Sequence, residues 1–131
     1  MARARVTDVT AAEAILDEVL GRWRVAVETH RPREVAELFT EDAIFQGLHP
    51  YSVGRQGIVD YYDGQPLGLT PSYRLLETRQ PAAGVVLGYA DVVFAFADRP
   101  AIRVLLSVLL TRHAQNWLIS HYQVSAAPDG G

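Results

Sequence analysis

The sequence predicts an α+β domain in which a curved antiparallel sheet wraps around one apolar pocket. Apolar side chains recur at helical spacing through residues 11–28. From Ser72 onward the composition changes to four long runs rich in Val, Leu, Ile, Tyr and Phe, the mark of strands. Those runs are separated at 81–84, 98–100 and 114–116 by segments of hairpin length, too short for crossovers, so neighbouring strands are expected to run antiparallel.

Thr10 and Glu13 have the spacing of a capping box and predict a helix start at Thr10. Ile15, Val19, Trp23 and Val27 then form one stripe, with Leu16 and Leu20 beside it. His30 follows as a cation suited to the C-terminal end of that helix. Pro32 fits a first helical position, and Val35, Leu38 and Phe39 predict a second helix ending near Glu41 and Asp42. Residues 43–46 read as a brief strand and 47–52 as a loop. The segment 54–57 lacks the glycine spacing of a phosphate loop and reads as the start of a third helix, with Ile58, Tyr61 and Tyr62 inward. Four strands are expected at 73–80, 85–97, 102–113 and 117–125, and a loose tail from Ala126.

The chain has 131 residues, 49% hydrophobic and 21% charged, with a formal net charge of -3, which suits one globular domain whose core spans about 11–126. This charge gives no electrostatic reason to expect nucleic acid or an anionic membrane as partner. No run reaches the roughly 20 apolar residues of a membrane helix, and a cytoplasmic location is expected. Cysteine is absent, which removes disulfides and thiolate chemistry. Every basic residue is arginine, so a Schiff-base or P-loop lysine is excluded as well. His30, His49, His113 and His121 show no metal-ligand spacing, and neither a metal nor another cofactor is expected.

The order helix, helix, strand, helix, four strands, with the motifs at 38–43 (LFTEDA), 54–58 (GRQGI) and 117–121 (WLISH), resembles the nuclear-transport-factor-two-like superfamily. Within it the chain is most similar to the small SnoaL-like, SgcJ/EcaC-type proteins. The resemblance implies a cone-shaped, cystatin-like α+β barrel. It also implies a pocket for a hydrophobic, oxygenated, polyketide-like molecule, acted on by a cofactor-free cyclase, isomerase or hydratase, or held by a non-catalytic binding protein. Laid against the ketosteroid isomerases of the same superfamily, the oxyanion tyrosine falls on Trp23, the general-base aspartate on Gly47 and the protonated aspartate on Ser107. Steroid-type enolisation is therefore not expected.

The same alignment implies a cavity face formed by Ala90, Val92, Arg103, Leu105, Ser107, Leu109, Ser120, Tyr122 and Val124. Tyr62, Arg103 and Ser107 would polarise a carbonyl there. Trp23, Phe45, Tyr61, Leu105 and Tyr122 would shape the ligand site, and His49 and Tyr51 would close its mouth. Arg103 could instead be satisfied by a neighbouring acid or by water. His121 alternates with Tyr122, which puts it on the convex face with Trp117 and Ile119; a β-bulge would turn it into the cavity as a base oriented by Asp91. Ser120 and Ser125 make no triad with His121, and His113 reads as solvated. Strand 102–113 is apolar on both faces, so a homodimer through the convex sheet face is expected.

Overall fold

The computed structural model describes the backbone of residues 2–127 and the side chains of residues 11–127. Helix α1 spans Ala2–Glu28, so Thr10 lies within the helix and is not its cap. Residues 2–9 contain no Gly or Pro to stop the helix from extending upstream of the expected start. The Thr10 side chain lies outside the described residues. Leu16, Val19, Leu20, Trp23 and Val27 are buried against the sheet. Each large side chain so placed contributes roughly 1.5–3 kcal/mol of apolar transfer, an upper figure because the unfolded chain is not fully extended. The helix gives out at His30, whose backbone adopts the left-handed conformation (φ 54°) and donates its N–H to the Val27 carbonyl at 3.0 Å.

Pro32 opens α2 (Pro32–Glu37) as expected, but the helix ends at Glu37 and strand β1 occupies Phe39–Gln46. The helical spacing of Leu38 and Phe39 is overridden by pairing, since the Ile119 N–H donates to the Leu38 carbonyl at 2.8 Å and Phe39 pairs with Ile119. A two-residue strand, β2 (Ser52–Val53), closes the loop after β1. Gly54, with φ 95°, then caps α3 (Arg55–Asp63). Strands β3 (Thr70–Ala82), β4 (Val85–Ala95), β5 (Ile102–His113) and β6 (Asn116–Ala126) follow. Ala126 and the buried Ala127 belong to the folded body and not to the expected tail; residues 128–131, where the rest of that expectation falls, lie outside the described residues.

The six strands form one open sheet in the order β2-β1-β6-β5-β4-β3. Strands β3 to β6 are antiparallel neighbours, as their short connections require. Strand β1 joins β6 in parallel, which makes the sheet mixed. Register shifts near Leu76 in β3 and Ser120 in β6 bend it into a cup. Gly88 lets α1 seat in that cup, because a Cβ there would fall 2.6 Å from Leu16 Cδ2. No helix among the described residues is long and apolar enough to cross a membrane.

The phase of β5 is opposite to the one the alignment implied. Val104, Leu106, Val108 and Leu110 are fully covered by the helices. Arg103, Leu105, Ser107 and Leu109 therefore stand on the outer, convex face, away from the cavity. Both alternating sets are apolar, so composition alone left the phase of the strand open. Trp117 and Ile119 are corrected as well: Ile119 is buried and Trp117 packs on the core, because Ser120 is the extra residue of a bulge that resets the alternation before His121. Leu106→Asp is expected to prevent folding and Leu105→Asp to leave it intact, as judged by far-UV circular dichroism and urea unfolding; the reverse order would restore the alignment's phase.

Candidate functional site

One depression, about 880 Å³, is an open groove between α1 and α2 whose rim carries Glu18, Arg22, Glu34 and Glu37. Its charges are solvated or paired along the helices, as in Arg22–Glu18 at 3.7 Å. The more enclosed cavity, about 180 Å³, lies where α3 and the loop after β1 meet the β4–β5 end of the sheet. Tyr61 and Tyr62 reach it from α3, Tyr122 and Val124 from β6, and Phe94 from β4. Leu48 and His49 come from the loop after β1, Gln65 and Leu69 from the segment after α3, and Phe96, Arg99 and Ile102 from the β4–β5 connection.

The cavity is backed by a packed aromatic group. Phe45 stacks on Tyr122 with ring centroids 4.7 Å apart and meets Tyr61 edge-on at 4.9 Å. Trp23 is fully buried and its indole N–H donates to the Tyr62 hydroxyl at 3.1 Å, which fixes α1 to α3. Tyr62 shares a further hydrogen bond with Tyr122. Burial pushes all three phenols, Tyr61, Tyr62 and Tyr122, above the ordinary tyrosine range. Around neutral pH they are protonated hydrogen-bond donors, not bases. Among the described residues no Asp or Glu lines the cavity.

Gly47 explains one change from the isomerase pattern. Its α-carbon faces the Tyr61 ring so closely that a Cβ would overlap the hydroxyl and lie 2.7 Å from Cζ. The Tyr61 hydroxyl also takes a hydrogen bond from the Leu48 backbone N–H. The phenol thus occupies the space into which a side chain at position 47 would project. At the β5 position the outer placement of Ser107 shows that the alignment was out of phase. The inward neighbours Leu106 and Val108 are apolar, so the cavity has no acid there either.

Of the residues singled out from sequence, His49, Tyr61, Tyr62 and Tyr122 line the cavity, while Trp23 and Phe45 support it from behind. Tyr51 is 65% exposed and does not line it. Arg103, Leu105, Ser107 and His121 stand on the convex face. Arg103 grips Asp91 there with two bonds of 2.9 Å, and Arg74 adds a third contact at 3.4 Å. The Arg103 hydrogen bond, followed by its charge and that of Arg74, lowers the Asp91 pKa. The predicted bulge is present in β6, yet His121 pairs with the outer Leu109 and bonds Gln123 at 3.3 Å. The bulge falls at Ser120, before His121, and shifts Ile119 inward instead. His113 is exposed and bonds Thr111 at 2.8 Å. Arg99 was missed because the connector at 98–100 read only as a separator, and Phe96 because it was read as part of the strand at 85–97 with no direction assigned to it. The signal available was a cation between two long apolar strands.

No family model and no curated protein matches the sequence. Solved structures do match the fold. A ketosteroid isomerase-like protein from Erwinia carotovora atroseptica superposes with a TM-score of 0.70 at 18% identity, over 88% of this chain and 96% of that one. An NTF-2-like protein of unknown function from Shewanella oneidensis gives 0.74 at 11%, over 86% and 98%. A domain of unknown function with a cystatin-like fold from Nostoc punctiforme gives 0.77 at 16%, over 90% and 78%. The chain has the nuclear-transport-factor-two-like, cystatin-like α+β fold. That likeness carries the architecture and leaves the chemistry to the residues of this chain.

Two outcomes follow from this geometry. Tyr62→Phe leaves the Trp23 N–H without its acceptor and is expected to cost about 1–3 kcal/mol in urea unfolding. A phenol whose folded pKa is raised contributes stability that is full below its unfolded value near 10 and is lost as pH rises through the folded value. Thermal midpoints are therefore expected to fall steeply above about pH 10, and less steeply in Tyr62→Phe. Parallel pH profiles would show that Tyr62 is not held neutral by the fold.

Proposed function

We propose that this chain, over about residues 11–126, is a SnoaL-like binding protein that holds a small, hydrophobic, oxygenated molecule without transforming it, and that it acts as a homodimer. The observation that carries this reading is the cavity's chemistry: aromatic walls, neutral phenols and, among the described residues, no carboxylate. Proton transfer without a cofactor wants a positioned base, and Asp91 and His121, the pair that would have supplied one, stand on the other face of the sheet. The phenols suit a carbonyl or ether oxygen, which accepts hydrogen bonds and gives up none. The space is below the roughly 300 Å³ at which drug-sized sites begin, so one substituted ring suits it and a fused polycycle does not.

A catalytic reading, a cyclase, isomerase or hydratase with His49 as base, is supported by one feature. The His49 ring lies at the cavity mouth with its centroid 6.0 Å from that of Tyr61. The dimer is supported by the convex face, where Ile44 (43% exposed) and Tyr89 (38%) accompany the half-buried Leu105, Leu109 and Leu118. A second copy offers the same apolar surface across a two-fold axis.

Titration with cyclohexanone, acetophenone and related single-ring ketones, followed by tryptophan fluorescence and by chromatography of the recovered ligand, tests the pocket. Saturable binding with the ketone recovered unchanged is the expected result; turnover that His49→Ala abolishes would replace binding by catalysis. Sedimentation equilibrium is expected to give twice the 14.5 kDa chain mass, reduced to one chain in Leu109→Arg. A wild-type monomer would remove the dimer and leave the pocket reading untouched.

A further inference from the structure

The lining of the cavity is unbalanced in a way that specifies its ligand. Tyr61 already accepts the Leu48 N–H and keeps its own proton to donate. Arg99 can only donate, and among the described residues no carboxylate lines the cavity to answer it. The guanidinium of Arg99 sits 5.2 Å over the Phe96 ring, another wall residue, which orients its plane at the mouth. Asp98, the neighbouring acid, takes only the Nε atom, at 3.1 Å. That contact leaves the edge formed by the two η nitrogens for a second oxyanion, and two parallel N–H bonds from that edge fit a bidentate carboxylate.

We propose that the ligand is a small carboxylic acid: a single ring or short branched apolar body that fills the cavity among Phe94, Leu69 and the tyrosines, with its carboxylate at the mouth on Arg99. This inference rests on the pocket reading above and narrows it to an anion. The apolar body supplies the burial and the carboxylate sets orientation. Arg99 is 52% exposed on its side chain, so the ionic contact is screened and modest, while the apolar contacts are not.

The test compares phenylacetate with phenylacetamide, which has nearly the same shape and no charge, by isothermal titration and by chemical-shift mapping on the full chain. Phenylacetate is expected to bind roughly five-fold more tightly than the amide, with shifts at Leu69 and Phe94 and an advantage that shrinks as salt is raised. Arg99→Leu is expected to erase the acid's advantage over the amide. Asp98→Asn, which removes the competing carboxylate, is expected to tighten the acid alone by about two- to five-fold. Both positions are exposed and outside the core, so the variants fold. Equal affinity for acid and amide, unmoved by Arg99→Leu, overturns the anion proposal and leaves the pocket reading standing. Absence of shifts at the cavity with either probe and with the ketones removes both.

Discussion

The buried bond from the Trp23 indole to the Tyr62 hydroxyl is the interaction on which the rest of this molecule depends. It joins positions 39 residues apart and ties α1 to α3. Around it the rings of Phe94, Tyr122, Phe45 and Tyr61 meet at centroid distances between 4.7 and 6.1 Å. A polar pair at the centre of an aromatic group is costly when half satisfied and specifying when complete. No buried side-chain nitrogen or oxygen among the described residues lacks a partner, so the pair acts as a locator. It sets where α3 stands, and α3 in turn holds two of the three phenols over the cavity.

The architecture was legible because period and spacing are local properties. Short connectors between long runs enforce antiparallel neighbours, and Gly54 and Pro32 mark helix starts through backbone geometry alone. What the sequence concealed depends on contacts between distant residues. The parallel pairing of β1 with β6 took Leu38 and Phe39 out of a helix they would otherwise have extended. The bulge at Ser120 has no composition of its own, yet it decides on which side Ile119 stands. In β5 both alternating sets could line a core, so Leu105 and Leu106 were interchangeable until the helices were placed. The tyrosines were found because they sit on a helix face with one clear inward direction. Arg99 was not, because a connector has no period from which to read a direction.

The sheet is a single layer, and its two faces have different tasks. The cupped face carries the aromatic group and the cavity. The convex face carries its charged residues at one edge, where Asp91 is held between Arg103 and Arg74, and presents aliphatic surface elsewhere. An acid fixed between two guanidiniums is satisfied without any ligand, which removes the physical reason for Arg103 to seek an anion. Arg99 differs in kind, since its acid partner takes only Nε and leaves both η nitrogens for a ligand. The two arginines show why residue type alone did not identify the site, whereas the number of donors already engaged does.

Gly47 and Tyr61 bear most directly on chemistry, because they exclude one another. Carboxylate chemistry in this cavity would need an acid reaching in from the loop after β1, and any side chain at position 47 first meets the Tyr61 ring. Keeping the phenol therefore forbids the base, and restoring the base requires that the phenol move or shrink. Two positions would have to change together, and the first change alone would disrupt the edge-on contact of Tyr61 with Phe45 that shapes the cavity wall. A site so built is tuned for hydrogen-bond donation to a bound acceptor. Its walls hold a molecule in place, and its protons remain on the phenols that present them.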